Sequence, residues 1–159
     1  MKDTIYMSKK IFYLIVSLCA VIIMANSIEA FIKVKDLGLF ETWLANPKLN
    51  IDRSQNTNQI YSIYLTMCLS IFIMRIITPV ALGLNTYFAF IKTKVNKLFV
   101  LIWIILLVGL FIFTSIGELY FSIFFIISAI CHVGLLFIMI YMWEEINKQK
   151  NIIIAEKIN

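Results

Sequence analysis

The stretch IYSIYLTMCLSIFIMRIITPVALGLNTYFAFI, residues 60–91, decides the fold. It runs well past the roughly 20 apolar residues that a helix needs to cross a bilayer, and its only charge is Arg75. From Tyr61 to Tyr87 a helix would extend about 39 Å at the standard rise. Such a helix must tilt, kink at Pro79 or stand out of the membrane. Tyr61 and Tyr64 at one end, with Tyr87 and Phe88 at the other, suit the two aromatic belts of a tilted span.

Three further apolar segments lie on either side, at approximately 11–32, 98–116 and 119–143. Hydrophobic residues make up 62% of the chain and the mean hydropathy is +0.93, against roughly half apolar in an ordinary soluble domain. The pattern predicts an all-α integral membrane protein: a single membrane domain over 1–159, built as an antiparallel bundle of four transmembrane helices. Lys2, Lys9 and Lys10 precede the first segment as they would a signal peptide. That segment is too long for one, however, and no small-residue cleavage site follows it, so it reads as an uncleaved first span.

Lysine and arginine placement predicts the orientation, since positive loops stay cytoplasmic. Lys2, Lys9 and Lys10 precede span one, Lys92, Lys94 and Lys97 join spans two and three, and Lys148, Lys150 and Lys157 follow span four. The other side has Lys33, Lys35, Lys48 and Arg53 in the first loop, with Glu118 in a tight third loop. Both ends of the chain are therefore expected to be cytoplasmic. The net charge of +5 follows from this asymmetry and from contact with anionic lipid, so no nucleic-acid partner is implied. Composition rich in Ile, Asn and Lys suggests a bacterial chain and hence a plasma membrane.

The outer loop, 33–59, is the only sizeable appendage. Asp36 suits the N-cap of a short helix with Leu37, Phe40, Trp43 and Leu44 near one face, ended by Asn46-Pro47. Two placements fit that face equally: flat in the membrane interface, or folded back over the mouth of the bundle. Residues 52–58 read as a polar linker, and residues 144–159 as a tail tending to fray.

Polar groups within the spans are the candidate site. A charge near the bilayer centre costs at least about 2.5–3.5 kcal/mol, so Arg75 must face protein, water or an anion. Thr78 follows one turn on, and Glu29, beside Asn26 and Ser27, is the only carboxylate well inside a span. Counted by depth Glu29 stands about 10 Å above Arg75, a gap that tilt and side-chain reach must close if the two are to pair. A carboxylate of a partner subunit, a bound anion or lipid headgroup, and snorkelling to an interface are the other answers for Arg75. His132, with Ser128 one turn before it, reads first as a hydrogen-bonded packing residue and second as a proton-titrating site level with Arg75. Two rows at four-residue spacing, Ser62, Thr66, Ser70 and Ala81, Asn85, Ala89, are candidate helix-packing faces. The third span, nearly all large apolar residues, is expected to face lipid.

Several chemistries lack their residues. Cys19, Cys68 and Cys131 stand one to a span with no Cys-x-x-Cys, and a single histidine with scattered methionines does not make a metal or haem site. No phosphate-binding glycine loop or catalytic triad can be assembled. The expectation is a non-enzymatic membrane protein without catalytic, metal or cofactor sites. It would act as an accessory or regulatory subunit through helix and outer-loop contacts with another membrane protein. The alternative is a small homo-oligomeric transporter or channel with an anion or proton-coupled path past Arg75 and His132.

Overall fold

In a computed structural model, residues 4–46, 56–91, 95–116 and 122–158 are described. Five helices carry the fold: α1 (Lys9–Lys35), α2 (Leu37–Leu44), α3 (Thr57–Ile91), α4 (Lys97–Ile116) and α5 (Ile123–Ile158). All but α2 are long and apolar enough to cross a membrane. Lys2, Pro47, Lys48, Lys92, Lys94, Glu118 and the 52–55 part of the expected linker lie outside the described residues, as do the side chains of Ile116, Lys150 and residues 152–158.

Each long helix buries one narrow stripe and turns the rest outward. On α1 it is Ile15, Cys19, Ile22, Asn26 and Glu29; on α3 it is Tyr64, Cys68, Arg75, Pro79, Leu82, Thr86 and Ala89. Steps of three and four residues are the seam spacing of helices crossing at a shallow angle. α1 is the central element, packing extensively on both α3 and α5; α4 lies against α5 and touches α3 more lightly. The third span, expected to face lipid, does so with Leu101, Ile105 and Phe113 but buries Val100, Trp103, Leu107 and Leu110. Its large residues serve both surfaces, because lipid and core are equally apolar.

Helix starts follow local chemistry. Ser8 caps α1 by accepting from the Ile11 amide at 3.3 Å, and Ser122 caps α5 by accepting from Phe125 at 3.0 Å. Thr57 and Asn58, expected in the linker, instead open α3, with Asn56 Oδ1 accepting from the Asn58 amide at 3.2 Å. Pro79 sits inside α3 without ending it, but it has no N–H to give the Arg75 carbonyl one turn back. α5 continues to Ile158, so the expected tail is helical, its Ile146 buried. A two-residue antiparallel ladder joins β1 (Thr4–Ile5) to β2 (Val95–Asn96), and Lys97 Nζ lies 5.5 Å from the Trp143 ring. The arm before α1, the start of α4 and the middle of α5 therefore meet at one end.

α2 occupies the other end. Asp36 Oδ1 accepts from the amides of Gly38 at 2.9 Å and Leu39 at 3.2 Å, the cap read from the sequence. Of its expected apolar face, Phe40 and Trp43 are buried and Leu44 is half-buried, while Leu37 points out. They pack on Ile60, Tyr64 and Cys68 of α3 as a cluster apart from the main core. Asp36→Ala is expected to cost α2 about 1 kcal/mol. Amide exchange should then speed up over residues 37–44 and not in α5, and Asp36→Asn should restore protection.

Candidate functional site

Glu29 stands on the last turns of α1 and Arg75 near the middle of α3, and the seam between the two helices brings them together. The Glu29 Oε1 atom lies 2.6 Å from Lys33 Nζ and 3.4 Å from Arg75 Nη1. The depth gap counted from the sequence closes because the first turns of α3 rise beside α2. Phe12 and Phe90 stack at 4.4 Å at the opposite end. From that level Glu29 is about 25 Å along α1 and Arg75 about 22 Å along α3 at the standard rise. Of the answers for Arg75, an intrachain carboxylate lies within ion-pair reach. Lys33 had been counted only as a loop charge. Its signal was the Glu-to-Lys spacing of four, which puts both on one helix face.

Around this cluster is a pocket of about 110 Å³. Asn26, Glu29, Ala30 and Lys33 of α1 form one wall; Tyr64, Met67, Cys68, Ile71, Phe72 and Arg75 of α3 form the other; Leu39, Thr42 and Trp43 of α2 close it. Tyr64 and Tyr61 hold the mouth by donating their hydroxyls to the carbonyls of Lys33 at 2.8 Å and Val34 at 3.0 Å. Those carbonyls lie in the last turn of α1, where no further helical amide meets them. Among the described residues, the buried Glu29 Oε2 and Trp43 Nε1 atoms have no hydrogen-bond partner. Thr78 is half-buried and does not line the pocket.

His132 and Ser128 are buried on α5, behind α1. Asn26 Nδ2 donates to the Ile22 carbonyl at 2.8 Å and to Ser128 Oγ at 3.2 Å. His132 Nδ1 lies 2.8 Å from the Ser128 carbonyl, which assigns the proton to Nδ1 and leaves Nε2 a buried acceptor without a partner. Asn26 is thus the link between the pocket and the α5 pair. No hydrogen bond or ion pair joins His132 to Arg75 among the described residues, and His132 does not line the pocket.

The small-residue rows lie elsewhere. Ser62, Thr66, Ser70, Ala81 and Asn85 are all exposed on α3, and only Ala89 is buried in the seam. Thr66 and Ser70 donate to carbonyls one turn back, Ser62 at 2.9 Å and Thr66 at 2.8 Å, so their hydroxyls are satisfied within the helix. The buried residues of that half of α3 are instead Pro79, Leu82 and Thr86. Among the described residues no group of three or more His, Cys, Asp or Glu could hold a metal ion. No family model matches the chain, and neither a curated protein nor a solved structure is significantly similar to it.

Proposed function

We propose that the chain is a non-enzymatic accessory or regulatory subunit of a larger membrane complex, docked to a partner helix through the outward face of α3. The observation that carries this reading is the row Ser62, Thr66, Ser70, Ala81 and Asn85, which the fold leaves exposed. Small and hydroxyl residues let helix backbones approach, and an amide such as Asn85 gains a bond when it finds a partner across a helix interface. Large apolar residues would suit a face that met only lipid. Within this reading the bundle is antiparallel and multi-pass in a bacterial plasma membrane, with α2 in the outer leaflet and both ends of the chain cytoplasmic. Its support is the lysine asymmetry and the meeting of β1, β2 and Trp143 at one end.

The test is extraction from the native host in mild detergent, with a photocrosslinker placed at Ser70. Wild-type protein should carry a stoichiometric partner crosslinked through α3. Asn85→Leu with Thr66→Leu should lose it while the bundle stays folded, since leucine in lipid disturbs nothing inside. A lone monomer or a pure homo-oligomer would overturn the proposal.

One observation favours a second reading, a small homo-oligomeric transporter: a polar string runs from Asn26, a pocket residue, through Ser128 to His132, whose Nε2 atom has no partner among the described residues. Liposomes containing only this chain would then move protons or an anion, and His132→Ala would abolish the flux with the fold intact.

A further inference from the structure

We infer that Tyr13, Tyr87 and Tyr141 form a ring that seats the bundle in the headgroup layer of one leaflet, and that α2 with the first turns of α3 therefore stands outside the hydrocarbon of the other. The partner is the bilayer surface, whose ester and phosphate oxygens accept from the phenols. This holds for a docked subunit and for a transporter alike. The three tyrosines are 65%, 50% and 53% exposed, on three different helices. Asn26 meets Ser128 at 3.2 Å and Leu18 lies against Gly134, so α1 and α5 run in opposite directions. Tyr13 is thirteen residues from Asn26, and Tyr141 thirteen from Ser128, each about 20 Å along its helix and towards the same end. From the stack of Phe12 on Phe90, Tyr13 is one residue inward and Tyr87 three, which puts the phenols of α1 and α3 within about 3 Å of one level. A ring with a polar tip suits the boundary of hydrocarbon and water. Charge begins directly beyond it, with the exposed Lys10 three residues past Tyr13 and the exposed Glu144 three past Tyr141.

The opposite edge follows from the ring. Between it and Lys33 the described residues expose no charged side chain, and Lys33 is twenty residues from Tyr13, about 30 Å or one hydrocarbon thickness. Tyr64 donates to the Lys33 carbonyl, which carries that level onto α3 near Tyr64. Twenty residues back from Tyr87 is Met67, less than a turn away. Thr57, which opens α3, is thus seven to ten residues or about 10–15 Å further out, past a headgroup layer of about 5–7 Å. The surface changes at the same place. On α2 and the first turns of α3 the exposed residues include Glu41, Thr42, Thr57, Asn58 and Gln59, with Leu37 and Ile63 the exposed large apolar ones; past Met67 come Leu69, Ile73, Met74 and Ile77. Tyr61 and Tyr64, which suited an outer belt by sequence, are turned inward and give their hydroxyls to α1. Of the outcomes open to so long a helix, projection accounts for both the depth count and the change of surface.

The experiment is spin-label depth measurement on the purified full chain in phosphatidylcholine liposomes, comparing quenching by oxygen, which enters hydrocarbon, with quenching by a nickel chelate, which stays in water. One nitroxide is carried on a cysteine introduced at an exposed site, and wild type, whose Cys19, Cys68 and Cys131 are buried, gives the labelling background. Tyr13→Cys, Tyr87→Cys and Tyr141→Cys should report one depth, at the headgroup boundary. Asn58→Cys and Glu41→Cys should be open to nickel, and Ile73→Cys to oxygen alone. With Tyr13→Leu, Tyr87→Leu and Tyr141→Leu combined, a label at Ser17→Cys should sink by about one helical turn, 5.4 Å, because leucine is drawn into the hydrocarbon. Circular dichroism confirms each fold, and Gln59→Cys or Thr42→Cys replaces a neighbour that unfolds. Unequal depths for the three ring sites, or hydrocarbon shielding of both Asn58 and Glu41, would overturn the inference. So would an unmoved Ser17 label in the folded leucine variant, since the phenols would then hold nothing.

Discussion

Replacing Glu29 by leucine is expected to cost the fold about 3–5 kcal/mol, the range for removing one member of a buried ion pair. The loss has two parts. The attraction at Oε1 disappears, and Arg75, 5% exposed, and Lys33 lose the carboxylate that lies between them. Lys33→Leu should cost far less, within about 1 kcal/mol, because its side chain is 28% exposed and solvent already screens it. The double variant Glu29→Leu with Arg75→Leu is expected to recover most of the loss, since an apolar pair of similar volume often replaces a buried ion pair at little cost. Unfolding in denaturing detergent of wild type, Glu29→Leu, Arg75→Leu and the double variant, followed by circular dichroism, gives all four corners of the cycle and hence the coupling between the two residues. If Glu29→Leu proved no worse than Lys33→Leu, Arg75 would draw its stability from other groups and the bridge would be incidental.

That cycle also bears on how the chain meets partners. An arginine in a membrane helix suggests a search for an acid on another subunit, yet here α1 supplies the acid. Docking through the α3 face and the state of Arg75 are therefore separable: Asn85→Leu should leave the unfolding midpoint alone, and Glu29→Leu should move it. Were both to act together, the outward face and the buried pair would be one structural unit.

The four spans were legible because length and apolarity alone identify a membrane helix. The seam was not. Ile15, Cys19 and Ile22 face protein while Tyr13, Leu14 and Met24 face outward, and nothing in their side chains distinguishes the two sides. In a soluble bundle polar residues would mark the outer face; in lipid that contrast vanishes. Only the polar minority carried direction, which is why Glu29, Arg75, Ser128 and His132 could be singled out as a candidate site within the spans. Ser62, Thr66 and Ser70 form no packing row within this chain, since small residues permit close approach without requiring it. Trp43 joined the site through the fold-back of α2, and a short amphipathic helix has the same pattern whether it lies on a membrane or on a protein. The ladder of β1 and β2 is too brief to leave any periodic signal.

Phe40→Ala separates those two uses of α2. The ring is 7% exposed and lies edge-on to Tyr61 at 5.1 Å and tilted against Tyr64 at 5.4 Å, in the cluster that Trp43 shares. Truncating a buried phenylalanine costs about 3–5 kcal/mol. α2 has eight residues, too few to persist as a helix without its packing, so the loss should appear as local undocking. Amides of residues 37–45 are expected to lose their exchange protection while the unfolding midpoint of the four long helices stays put. Leu135→Ala, in the main core and fully buried, should do the reverse and lower the midpoint. With α2 released, Trp43 leaves the pocket. An equal drop in midpoint for Phe40→Ala and Leu135→Ala would instead make α2 part of the same cooperative unit as the spans, and its closure over Glu29 a fixed feature rather than an equilibrium.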